Sequence, residues 1–259
     1  MNKPEALATL AIIGGSGLYE FDEIESPLRV TIDTPFGSPS SPIVVGEIGG
    51  MSVAFLARHG SGHGYLPSEI NYRANVWALK SLGVKWCLGV SAVGSLTEEF
   101  SPLDAVIPSQ LIDKTSGREK TFFGDGVIAH ASLADPYCGT LNRVLAEAAQ
   151  EVGIRKIHEN AVYVCINGPQ LSSRAESLMH KSWGANIVGM TNATECALFR
   201  EAEISYSSLC LVTDYDCWRN QNEEVDAIDI VRNLQSNVSF ARSVIPILSR
   251  KLKGVEQPA

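Results

Sequence analysis

A single α/β domain with a central mixed β-sheet flanked by helices is the fold class that the sequence predicts. Apolar runs of strand length alternate with amphipathic stretches of helix length from one end of the chain to the other, as in layered structures with a largely parallel or mixed sheet. No internal repeat, low-complexity tract or linker divides the 259 residues, so one domain is expected over 1–259.

The elements follow in order. "LATLAII" (7–13) is the first strand. "PIVVGEI" (42–48) and "MSVAFLA" (51–57) form a hairpin about Gly49-Gly50, a dipeptide that suits a tight turn. "PSEINYRANVWALKSLG" reads as a helix starting near Pro67 and stopping at Gly83. "VKWCLGVSAVG" (84–94) is a buried strand, and "DAVIPSQLI" (104–112) follows it. Residues 113–130, "DKTSGREKTFFGDGVIAH", lack periodicity and read as a long functional loop. Residues 139–153 place Leu141, Val144, Leu145 and Ala148 on one helical face. Strand "AVYVCING", helix "SSRAESLMHKSWG", strand "ANIVGM", helix "NATECALFREAE" and strand "SYSSLCLVTD" complete the alternation up to residue 214. Ala227, Val231, Leu234, Val238, Ala241, Ile245 and Leu248 recur every three or four residues, giving a long amphipathic helix with a bend expected at Pro246.

A net charge of −8 argues against nucleic acid or an anionic membrane as the main partner, because phosphate backbones demand a basic face. It leaves room for a small anion in a local basic pocket. The six cysteines lack C-x-x-C spacing and sit mostly in apolar runs, so they read as reduced core residues of a cytoplasmic protein. The first apolar run is short and broken by glycines, which fits a strand better than a signal peptide, and no run is long enough to span a membrane.

Ligands of open α/β sheets gather outside the carboxyl ends of the strands, and this chain concentrates polar residues there. "IIGGSG" (12–17) offers Ser16 and glycine backbone to an anion, although a tight turn explains it equally well and the dinucleotide spacing is absent. "LARHGSGHG" (56–64) ends a strand in Arg58 and His59; Arg58 can fork onto two phosphate oxygens or stand as a surface cation, and His63 reads as structural. "VSAVGSL" (90–96) ends a strand in Ser91 and Ala92, a small-residue turn or an anion contact. "VGMTNATE" (188–195) puts Thr191 before a helix whose N-terminus favours negative charge, although Thr191 or Asn192 as a plain helix cap fits as well. Finally "VTDYDCW" (212–218) sets Asp214 and Asp216 at the mouth of an apolar strand, where carboxylates are rarely buried without a task. Together these ends suggest an anion site beside a carboxylate site.

Taken in order, "IIGGSGLY", "LARHGSGH", "NYRANVWALKSLGV", "SAVGSL", "GPQLSSRAES", "GMTNATE" and "TDYDCW" resemble the 5′-methylthioadenosine phosphorylase branch of the purine nucleoside phosphorylase family, from about residue 9 to 240. The resemblance implies a nucleoside phosphorylase-like fold, a homotrimer or a hexamer made of two trimers, and phosphorolysis without metal or organic cofactor, inorganic phosphate being a co-substrate. It implies phosphate contacts at Ser16, Arg58, His59, Ser91, Ala92 and Thr191, a ribose contact at the Met190 backbone, and purine contacts at Asp214 and Asp216, the expected catalytic pair. A carboxyl group can accept from an adenine N6 amino group and, when protonated, donate to N7, whereas a 6-oxopurine suits an amide better. His130 resembles a histidine supplied by a neighbouring subunit near the 5′ substituent, and Ile228 falls near the apolar wall of that group. The chain departs from the pattern at Gln170 and Leu171, where an arginine and a purine-stacking phenylalanine are usual, and at Thr194, where proline is usual. Phosphorolysis of another purine nucleoside (methylthioinosine, adenosine or inosine) and non-catalytic nucleoside binding are the alternatives.

Overall fold

A computed structural model describes residues 6–219 and 227–258, without the side chains of 227–231. Its strands are β1 (Leu10–Gly14), β2 (Glu25–Val30), β3 (Ile43–Ile48), β4 (Met51–Ala57), β5 (Trp86–Ser95), β6 (Ala105–Asp113), β7 (Ile157–Cys165), β8 (Ile187–Gly189) and β9 (Ser205–Tyr215). Its helices are α1 (Tyr72–Ser81), α2 (Gly139–Val152), α3 (Arg174–Ser182), α4 (Asn192–Glu201) and α5 (Ala227–Leu252). The strands form one mixed sheet ordered β2-β3-β4-β1-β5-β8-β7-β6-β9, and an added β5–β9 pairing closes the last five strands on themselves.

Burial on both faces explains the unbroken apolar runs. In β1, Leu10 and Ile12 pack into a cluster with α2 and α5, while Ala11 and Ile13 pack into a second with α1 and α4. Such a strand has no solvent face and hence no polar alternation. A third cluster, including Val93, Tyr163, Ile187 and Val212, joins strands of the closed portion.

The expected alternation of strands and helices is present, with shifted boundaries. The helix expected from Pro67 begins only at Tyr72, because Asn71 caps it by accepting from the Ala74 amide at 3.1 Å. Strand β2 was not expected. It is an exposed edge strand carrying Pro27, and it pairs antiparallel with β3 alone. Residues 114–138 contain no regular element beyond one isolated bridge, as the long-loop reading requires. Helix α5 runs through Pro246.

Candidate active site

Five strand ends meet at one cavity of about 220 Å³. It is lined by Ser16 after β1, Arg58 and His59 after β4, Ser91 and Ala92 in β5, Met190 and Thr191 after β8, and Asp214 and Asp216 at the end of β9. Ser91 and Ala92 lie inside β5 rather than beyond it, since that strand continues to Ser95 to pair with β8 and β9.

Backbone crowding shapes the end that holds Ser16. A Cβ on Gly15 would run into the Val90 carbonyl oxygen and lie 3.0 Å from Arg58 Nη1, so only glycine lets the β1 turn close over Arg58. The Arg58 side chain is 1 % exposed and already partnered within the protein. Its Nε donates to Glu195 Oε1 at 2.5 Å, its Nη2 to Glu195 Oε2 at 3.1 Å and its Nη1 to the Val90 carbonyl at 3.2 Å. Tyr206 also donates to Glu195 Oε2, at 2.7 Å. A guanidinium this deep needs a counter-charge. Burial works against its charge, Glu195 more than restores it, and Arg58 stays protonated with its proton affinity raised. These bonds use three of the five guanidinium N–H groups, which leaves one on Nη1 and one on Nη2 for a ligand.

The other groups at this end are neutral or dipolar. His59 Nδ1 lies 2.9 Å from the Tyr65 carbonyl. A carbonyl can only accept, so Nδ1 carries the hydrogen and Nε2 is a bare acceptor. Burial, followed by the Arg58 charge, lowers the His59 pKa to about 4, so the ring is neutral near pH 7. His63, read as structural, also lines the cavity: its ring stacks on His59 at 4.1 Å and its Nδ1 meets Tyr19 Oη at 2.9 Å. Thr191 is the N-cap of α4 but makes no side-chain cap hydrogen bond, which leaves its hydroxyl to the cavity and removes the plain-cap reading. Ser91 donates to Asn192 Oδ1 at 3.2 Å. This end of the cavity therefore combines the charged Arg58 with hydroxyls and the N-terminus of α4, an arrangement suited to an anion.

The opposite end depends on a β-bulge. The β5–β9 register pairs Val93 with Val212 and then Gly94 with Asp214, so Thr213 is the extra residue and the strand re-aims at that point. Thr213 Oγ1 donates to Asp214 Oδ1 at 2.6 Å. Burial, opposed by the Thr213 hydrogen bond and reinforced by the Asp216 charge, raises the Asp214 pKa to about 6. A Cβ on Gly94 would press on Val188 Cγ1 at 3.2 Å and reach Asp214 Oδ2 and Asp216 Cβ only at ordinary contact, 3.4 Å. The Asp216 amide and Trp218 Nε1 both donate to the Ser95 carbonyl, at 2.9 and 2.8 Å. Ile166, Val188 and Leu171 supply apolar wall, with Leu171 60 % exposed.

Two predicted residues lie elsewhere. His130 is exposed and lines a separate hollow with Asp113, Lys120 and Glu201. The Ile228 side chain lies outside the described residues. Three residues went unpredicted. Glu195 pairs with Arg58 across the sheet. Ser172 lines the cavity with its hydroxyl buried and unpartnered. Arg118, in the long loop, braces the chain at Met190 by donating from Nη1 to the Met190 carbonyl at 2.6 Å and from Nη2 to the Asn167 carbonyl at 2.8 Å. No sequence signal pointed to Glu195, because Arg58 lies 137 positions away from it.

A cavity with an anion-suited end, an apolar middle and a carboxyl end fits a nucleoside and phosphate. The sequence profile of the phosphorylase superfamily matches residues 9–246, and the chain belongs to that family. Within it, the chain is 47 % identical to the S-methyl-5′-thioadenosine phosphorylase of Prochlorococcus marinus, over 97 % of this chain and 81 % of the relative. It is 49 % identical to the Thermosynechococcus vestitus enzyme of the same name, over 92 % and 83 %. Among solved structures, a methylthioadenosine phosphorylase from an antarctic soil metagenomic library superposes with a TM-score of 0.93 at 49 % identity, covering 98 % of this chain and 89 % of that one. The Schistosoma mansoni methylthioadenosine phosphorylase in complex with adenine gives 0.92 at 36 % identity, covering 96 % and 93 %.

Proposed function

We infer that this protein cleaves the N-glycosidic bond of 5′-methylthioadenosine with inorganic phosphate, giving adenine and 5-methylthioribose 1-phosphate. The observation that carries the reading is the Asp214–Asp216 pair, with Asp214 raised to about 6, across one small cavity from Arg58 and Thr191.

The chemistry then follows from the residues. Phosphate rests against Ser16, the remaining N–H groups of Arg58, Ser91, Ala92 and Thr191, with the neutral His59 Nε2 accepting from the protonated oxygen of HPO4²⁻. Held there, it stabilises the oxocarbenium-like ribose and attacks C1′, so orientation supplies part of the acceleration. The C1′–N9 electron pair passes to the purine while a phosphate oxygen bonds C1′. Protonated Asp214 gives its proton to N7 of the departing base, and carboxylate oxygen accepts from the N6 amino group. Phosphate is the co-substrate, and the reaction needs no metal or organic cofactor. ³¹P NMR of the products tests this: a sugar 1-phosphate is expected, and free 5-methylthioribose would overturn phosphorolysis.

Leu171 gives the base an aliphatic wall. Leu171→Phe is expected to lower the nucleoside KM by roughly two- to tenfold through added aromatic stacking. An unchanged KM would remove Leu171 from the base site.

We further propose a homotrimer, or a hexamer of two trimers, in which His130 serves the 5′ end of a neighbour's cavity beside the Ile228 segment. His130 stands apart from its own chain's cavity, and its loop exposes Val127, Ile128 and Leu133, an apolar group suited to cover by a partner. Sedimentation as one chain mass would contradict the assembly. No helix among the described residues is long and apolar enough to cross a membrane. The six cysteines are all unpaired, which supports the reducing cytoplasm as the compartment.

A further inference from the structure

Among the described residues, buried side-chain polar atoms of Ser172, His180 and Asp216 lack a protein hydrogen-bond partner, and the Ser177 hydroxyl meets only the Cys217 thiol. Two of these residues line the base end of the cavity and two lie on the helix behind it. Ser172 and Asp216 line it, and Ser177 and His180 are the two buried residues of α3, which packs over the segment that follows Asp216. Arg174 Nη1 donates to the Cys217 carbonyl, and Lys181 Nζ sits 3.1 Å from the Trp218 ring centroid, so both ends of α3 are fastened to that segment. Helices usually dock through an apolar stripe. The buried face of α3 is instead a serine and a histidine.

Buried polar atoms are rarely left unmatched, and clustered ones point to a shared function or a shared solvent molecule. His180 is 2 % exposed and Asp216 5 % exposed. The charged groups that act on the His180 ring are the carboxylates of Asp216, at the end of β9, and Glu176, on its own helix, both favouring its protonation, and Lys114, after β6, opposing it. Burial is the largest influence, and the ring's proton affinity falls below the ordinary value. Trp183 packs edge-on at 5.6 Å. A neutral ring can still donate from Nδ1 to an acceptor beside it.

We propose that His180 is a positioning residue for the base site: its Nδ1–H, through one bridging water, holds Oδ2 of Asp216 and leaves the other carboxylate oxygen to the departing 6-aminopurine. The bridge holds the Asp216 carboxylate in place. That fixed charge also helps to hold the proton on Asp214. The proposal rests on the phosphorylase reading above, and no proton is consumed in it.

Asparagine can place an amide donor near the Nδ1 position of histidine, glutamine near Nε2, and leucine offers none. His180→Leu and His180→Gln are therefore expected to lower kcat/KM for a 6-aminopurine nucleoside by about tenfold and to displace its pH profile, while His180→Asn stays within about threefold. The phosphate KM should hold within about twofold in all three. Because His180 acts through Asp216, His180→Leu in an Asp216→Asn background should cost less than about twofold more. Wild-type kcat/KM in His180→Leu, equal loss in both backgrounds, equal loss in Asn and Gln, or a parallel rise in phosphate KM would each overturn the proposal. If Asp216→Asn alone left 6-aminopurine release unchanged, the base-site reading beneath it would fall instead.

Discussion

Asp214→Asn is expected to lower turnover of 6-aminopurine nucleosides by about 10²–10⁴-fold, and turnover of 6-oxopurine nucleosides far less. Asparagine fits the same bulge and can still accept from Thr213, so the fold should survive. It cannot hand a proton to N7, and its two N–H groups suit the acceptors N7 and O6 of a 6-oxopurine better than the N6 amino donor of adenine. The pH profile provides a second readout. The folded carboxyl titrates at about 6, above its ordinary value of 3.8, and the active form is the protonated one. The kcat/KM for the nucleoside should therefore fall as pH rises through about 6, and Asp214→Asn should lose that limb. Equal losses on both purine classes, or a limb that persists in the variant, would show that the purine contact is misassigned.

Arg58→Ala is expected to raise the phosphate KM by more than about a hundredfold and to cost about 3–5 kcal/mol of stability, because Glu195 is left as an uncompensated buried carboxylate. The two effects can be separated. Removing both charges, as in Arg58→Leu with Glu195→Leu, should return most of the stability, since apolar replacement of a buried ion pair is often neutral. The phosphate KM should stay high. Thermal melting together with phosphate titration measures both quantities. A double variant with normal phosphate dependence would make the pair purely structural, and an unchanged phosphate dependence in Arg58→Ala would remove Arg58 from the anion site.

What the sequence made legible was the alternation of elements and the gathering of Ser16, Arg58, His59, Thr191, Asp214 and Asp216 at strand ends. Those features are local: each of these residues lies within two positions of a strand's carboxyl end. What it concealed was long-range. The Arg58–Glu195 contact spans 137 positions in the chain, and nothing near Arg58 announces that partner. The raised pKa of Asp214 depends on a one-residue bulge against Gly94, a register detail set by pairing between strands. Strand β2 stayed hidden because an edge strand with one partner and an exposed pattern carries neither alternation nor an apolar run. The buried face of α3 stayed hidden because polar side chains mimic a solvent face.

The most direct measurement is release of free base from methylthioadenosine, methylthioinosine, adenosine and inosine, each with and without phosphate. The account predicts release that requires phosphate and is fastest from methylthioadenosine. Release without phosphate, or faster release from a 6-oxopurine nucleoside, would contradict it.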